Sequence, residues 1–102
     1  MKEQDLYLKI GRALKGAEES RLFGKPCFKI NSKAFICLFE KCMVFKLTGN
    51  EHKDALSLDG SQLFDPSKRK RHMREWVQVP VDYSDKWKIY SRAALKYVGA
   101  NS

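Results

Sequence analysis

The chain is poor in the residues that usually announce chemistry: two histidines, three cysteines, three prolines and six scattered glycines in 102 residues. So few histidines leave little room for general acid–base work. His52 falls at the start of an expected helix. His72 follows a run of cations that disfavours its protonated form, with no carboxylate beside it in sequence to orient it. Cys27, Cys37 and Cys42 are odd in number and lie in apolar, strand-like segments, where reduced core thiols are normally found, so a disulfide framework is not expected. The spacing of Cys37 and Cys42, with no histidine before His52, does not suit zinc. Thiols at strand centres are poor nucleophiles because burial keeps them protonated. Gly11, Gly16 and Gly24 form neither a dinucleotide-binding nor a Walker pattern. The longest apolar run, Ala34–Phe39, is too short to cross a bilayer, and Met1–Asp5 has no signal-peptide core. The expectations are no catalytic residue, no cofactor, no metal, no membrane contact and a cytoplasmic location.

What is present is an ordinary globular composition, 43% hydrophobic and 31% charged with 12% aromatic residues. One domain over 1–102 is expected, large enough to bury roughly two thirds of its unfolded surface. Cations outnumber acids 20 to 12, for a net charge of +8. That excess is local: Lys68, Arg69, Lys70, Arg71 and Arg74 fall in one tract with no acid between 68 and 74.

Leu6, Ile10, Ala13 and Ala17 recur at helical spacing with Lys9, Arg12 and Lys15 opposite, which predicts an amphipathic helix from Asp5 to about Lys15, ended by Gly16. Phe23 to Leu47 is β-branched, aromatic and sulfur-bearing, with polar breaks at Asn31-Ser32 and Glu40-Lys41. Three antiparallel strands over 26–30, 33–39 and 42–47 follow. Two-residue hairpins then set Phe28 opposite Phe35, Cys37 opposite Val44 and Phe39 opposite Cys42, with Cys27, Ala34, Ile36, Leu38, Met43, Phe45 and Leu47 on the other side. Both faces read as apolar, so each needs a cover: a helix, a folded-back loop or a second subunit in a homodimer. Asn50 is the expected N-cap of a short helix reaching Leu58. Gln62-Leu63-Phe64 reads as a brief extended piece, and Trp76–Val79 alternates like a strand with Trp76 turned inward. A last helix, capped by Asp82 or Ser84, carries Trp87, Tyr90, Ala94, Tyr97 and Val98 as its core stripe and Lys88, Arg92 and Lys96 opposite. The fold class is α+β: an antiparallel sheet with an N-terminal, a short central and a C-terminal helix.

Two sets of cations are the candidate binding residues. The tract Lys68, Arg69, Lys70, Arg71 and Arg74 can release counterions from phosphates, or it is a solvated loop at a sheet edge. Lys88, Arg92 and Lys96 can bind a partner, or they are a solvent-facing helix surface.

The segment Arg21-Leu22-Phe23-Gly24-Lys25-Pro26-Cys27-Phe28 through Phe35 resembles the start of a TfoX N-terminal-domain-like protein, with its Met-Phe-Gly motif followed by two strands. Met73-Arg74-Glu75-Trp76-Val77-Gln78-Val79-Pro80 resembles that family's Val-Pro strand, and Trp87 with Ala94-Leu95 its final helix. Lys33-Ala34-Phe35, Lys46 and Trp76-Val77 are also similar to the small YjbR-like proteins. Leu22 stands where the family has Met, Lys25 replaces a second Gly, and Ser32 stands where the hairpin has Gly. The resemblance implies an α+β domain without a known active site, which in longer members precedes a helical domain in regulators of competence gene expression. The expected function is that of a non-enzymatic accessory or regulatory protein acting by protein binding. A nucleic-acid-binding module using 68–74 is the alternative, and an enzyme with an unrecognised site ranks third.

Overall fold

A computed structural model describes residues 3–22, 24–64 and 73–100. The first helix, α1 (Glu3–Arg12), has acids in its first turn and Lys9 and Arg12 in its last, each sign placed where the helix dipole favours it. It buries Tyr7, Ile10 and Gly11 and stops a turn earlier than the periodicity predicts. The polar stretch after it is a strand, β1 (Glu18–Leu22), that hydrophobic alternation does not reveal. Then come β2 (Lys25–Ile30), β3 (Lys33–Phe39) and β4 (Cys42–Lys46), close to the expected bounds. The β2–β3 turn sets Asn31 and Ser32 at φ 51 and 68, the left-handed pair that a type I′ hairpin requires.

The central helix, α2 (Gly49–Ser57), is preceded by Thr48 in extended conformation at the N-cap, so Asn50 lies inside the helix and not at its cap. β5 (Gln62–Phe64) and β6 (Met73–Pro80) follow, then a single 3-10 turn at Val81–Tyr83 and the long helix α3 (Ser84–Ala100). The six strands form one sheet in the order β1-β2-β3-β4-β6-β5, every pair antiparallel. The fold is α+β, as its element pattern predicts. Among the described residues no helix is long and apolar enough to cross a membrane.

The predicted register fails at one place. A β-bulge between Phe28 and Lys29 sets Phe28 opposite Ile36 and Lys29 opposite Ala34, leaving Phe35 as the extra residue on β3. Beyond it Cys37 faces Val44 and Phe39 faces Cys42, as expected. The extra residue changes which side chains share a face. Phe28 and Phe35 join Ile36, Leu38, Met43, Phe45 and Leu47 in one cluster, whereas Cys27 and Ala34 move to the opposite cluster with Cys37, Val44, Phe64 and Trp76.

All three helices contribute to the first cluster: Tyr7 and Ile10 from α1, Ala55 from α2, and Trp87, Tyr90, Ala94 and Val98 from α3. Tyr90 Oη donates to Asp54 Oδ2 at 2.6 Å, tying α3 to α2. No described helix joins the second cluster. The sheet instead curls toward it. β3 and β5 are three strand positions apart, about 14 Å in a flat sheet, yet the Phe39 and Phe64 ring centroids stand 5.2 Å apart, edge to face. Cys27, Cys37, Val44, Phe64 and Trp76 are all buried within the single chain, so both faces are covered without a second subunit.

Candidate binding surface

Layering every helix on one side of the sheet leaves the outward faces of α1 and α3 as the broad helical surface of the molecule. On α3 the buried residues Trp87, Tyr90, Ser91, Ala94 and Val98 point at the sheet. Lys88, Arg92 and Lys96 are exposed, as the stripe predicts. Between them stands Ile89, which at 63% exposure is the one exposed large hydrophobic among the described residues. Ile89, Arg92 and Lys96 follow the i, i+3, i+7 spacing that aligns side chains along one helix face.

Where α1 crosses beside α3 there is a groove of about 330 Å³. Leu6 and Ile10 from α1, with Ala13 and Leu14 just after it, form its apolar wall, and Ser84 and Asp85 at the start of α3 also line it. Lys9, Lys88 and Arg92 are its cations, and none of the three forms an ion pair among the described residues. Two of the residues singled out from sequence, Lys88 and Arg92, are thus brought together with a third, Lys9. No local pattern joins Lys9 to them, because it lies on a different helix. Lys96, two helical turns beyond Lys88, does not line the groove.

The tract Lys68, Arg69, Lys70 and Arg71 lies outside the described residues, as does His72; Arg74 belongs to β6, but its side chain is not described. Trp76 is 6% exposed in the second cluster, while Val77 and Val79 point to the helices, which is the alternation expected of this strand. A ring so buried is not a platform on which a base can stack.

A second hollow, about 540 Å³ and more open, separates α1 from β1 and β2, between Gln4, Tyr7, Glu19, Arg21, Pro26 and Phe28. Arg12 and Glu19 pair across this side, linking α1 to β1, and the carboxylate holds the guanidinium pKa above its ordinary value. Tyr7 Oη is buried there with no hydrogen-bond partner among the described residues. Burial, and then the thiols of Cys27 and Cys37 and the Glu19 carboxylate, push its pKa up, so the phenol stays protonated.

Cys27 and Cys37 are buried as their strand positions predict, whereas Cys42, the first residue of β4, is half-buried. Cys27 and Cys37 are direct cross-strand partners on the helix-free face. Burial pushes Cys37 up to about 12, and repulsion from the neighbouring Cys27 sulfur adds to it. Burial also raises Cys27, against the opposing charge of Lys29. Cys42 rises for the same reason, although Gln78 Nε2 donates to its sulfur at 3.6 Å. All three are free, and thiolates are scarce at neutral pH. Among the described residues no group of three histidine, cysteine or carboxylate side chains is arranged to hold a metal.

Comparison of the chain with protein-family models, with curated proteins and with solved structures finds no significant match.

Proposed function

We propose that this is a small non-enzymatic accessory or regulatory protein of the cytoplasm, similar to TfoX N-terminal domains, that works by binding an acidic protein through the outward face of α3. The observation that carries this reading is Ile89, 63% exposed and followed along the same helix face by the exposed Arg92 and Lys96. A central apolar side chain ringed by charge is how many protein interfaces are built: the apolar contact supplies affinity, and the charges choose and steer the partner. A net charge of +8 favours acidic partners at long range. The raised thiols argue against nucleophilic chemistry on the same molecule.

The reading is tested by affinity capture from the native cytoplasm with the intact chain and with an Ile89→Asp/Lys96→Glu variant, each with and without nuclease. Proteins retained after nuclease treatment and lost with the variant support it. Capture that disappears with nuclease assigns the binding to nucleic acid. Capture that the variant leaves unchanged removes α3 as the surface.

A further inference from the structure

The groove between α1 and α3 has the makings of a small-molecule site, which goes beyond protein binding and does not depend on it. Its volume of about 330 Å³ falls at the lower end of ligand cavities, roughly 300 to 1,000 Å³. Its wall is hydrocarbon: Leu6, Ile10 and Leu14 are buried or half-buried and belong to, or pack against, the main core, so the wall is held rigidly. Its charge is lopsided. Lys9, Lys88 and Arg92 face the single carboxylate of Asp85, and no acid among the described residues pairs with them. Three like charges around an apolar hollow repel one another, and an anion placed between them relieves that repulsion while pairing with each. The first turn of α3, at Ser84 and Asp85, adds the positive end of a 17-residue helix dipole to the same rim.

We propose that this groove binds a small organic carboxylate: a single anionic head held by Lys9, Lys88 and Arg92, with an apolar body of about ten carbon atoms against Leu6, Ile10 and Leu14. The chemistry separates this class from its neighbours. A phosphate-rich ligand would use the three cations and the start of α3 but leave the apolar wall of Leu6, Ile10, Ala13 and Leu14 without a partner. A neutral hydrophobe leaves the three cations unpaired. A cationic ligand meets them head-on. A carboxylate with an aromatic or aliphatic body satisfies both halves of the groove at once.

The test is a titration of ¹⁵N-labelled protein with 2-naphthoate, followed by amide shifts, beside the same titration with 2-naphthylmethylamine, the same ring bearing the opposite charge. Saturable shifts confined to residues 6–14 and 84–92 with the acid, and absent with the amine, are expected. Lys9→Glu/Lys88→Glu should weaken 2-naphthoate at least about tenfold, the worth of one lost charge-assisted contact, with the helical circular dichroism unchanged. Should that variant fail to fold, Ala13→Phe, which fills the groove from its exposed edge, is expected to abolish binding. Shifts centred on the hollow between α1 and β1, equal binding of acid and amine, or undiminished affinity in a folded variant would overturn the proposal. None of these substitutions touches Ile89 or Lys96, so failure here leaves the proposed protein-binding face standing, and its failure leaves the groove standing.

Discussion

Gly11→Ala should destabilise this protein although it places a better helix former in a helix. In an isolated helix the change is worth up to about 1 kcal/mol in favour of alanine. Gly11, however, is the buried point at which α1 comes closest to the sheet. An added methyl carbon would lie within 2.5 Å of Phe28 Cε2, Cζ and Cδ2, whereas carbon atoms in contact sit about 3.5 to 4.0 Å apart. Either α1 or the ring must retreat by at least about 1 Å. Phe28 is 1% exposed and its ring packs on Tyr7 with 5.2 Å between centroids, so turning it toward the hollow between α1 and β2 gives up that contact. Whether the helix lifts or the ring leaves Tyr7, the packing of α1 on the sheet loosens. Overpacking of this kind costs about 1 to 3 kcal/mol, and three clashing ring atoms place it at the upper end. After the helix-propensity gain, a net loss of about 2 kcal/mol remains. For a chain of this size that is a fall in Tm of about 8 to 16 °C. The assay is chemical or thermal denaturation of the four members of a double-mutant cycle with Phe28→Leu. Removing the ring should make Gly11→Ala neutral or stabilising, giving a coupling of about 2 to 3 kcal/mol. A stabilising Gly11→Ala in the unaltered chain, or the same cost in both backgrounds, would refute the close-approach argument.

Cys37, whose ordinary pKa of 9.0 is pushed up to about 12 by burial, keeps its proton in the fold while the unfolded chain loses it. The folded state then binds more protons than the unfolded one. This thiol's contribution is therefore fully present below pH 9.0 and falls as pH rises toward about 12, a loss that Cys37→Ala should reduce in denaturation curves across that window. In the same samples at pH 8 a thiol reagent should label Cys27 and Cys37 slowly until denaturant is added, and the half-buried Cys42 faster than either; rapid native labelling of Cys37 would contradict its burial. Trp76→Ala should cost about 3 to 5 kcal/mol of stability, because the ring is a packing element. Replacing Lys68, Arg69, Lys70 and Arg71 by Ala tests the remaining nucleic-acid reading: a drop of about one in the salt slope of DNA affinity per lost contact supports it, and an unchanged slope removes it.

Most elements were legible because their signals are local. The stripe Trp87, Tyr90, Ala94, Tyr97 and Val98 marks α3, with Tyr97 only half-buried at the margin of the core, and the polar pairs Asn31-Ser32 and Glu40-Lys41 mark two hairpins that the structure contains. β1 was not legible. Its sequence, Glu18–Leu22, is polar because it is an edge strand, and it exists because β2 offers it a row of backbone partners. The bulge after Phe28 was equally silent. Period-two alternation assigns faces only if every residue is paired, and one inserted residue, Phe35, exchanges the faces of everything on β2 relative to the far end of β3. The price of missing it was a wrong distribution of side chains, not a wrong fold. The inference that both faces are apolar held, since each carries a buried cluster. Among the described residues the second face is closed by the curl of the sheet, a property of six strands together that no single segment encodes.

The candidate site divides in the same way. Lys88, Arg92 and Lys96 were visible because they repeat along one helix, but repetition alone cannot distinguish a binding surface from a solvated one. What gives two of them a common purpose is α1. Its apolar edge, Leu6, Ile10 and Leu14, serves the core with one side and the groove with the other, and Lys9 reaches the same opening. Leu6 and Arg92 are joined by no local pattern; they meet because the helices pack side by side on one face of a sheet whose opposite face closes on itself. Had helices covered both faces, α1 and α3 would not need to share one, and the cations of α3 would have no apolar neighbour to work with. The one-sided layering that leaves Cys27 and Cys37 buried on the helix-free side of the sheet is therefore also what brings the unpaired cations together beside apolar side chains on the helical side.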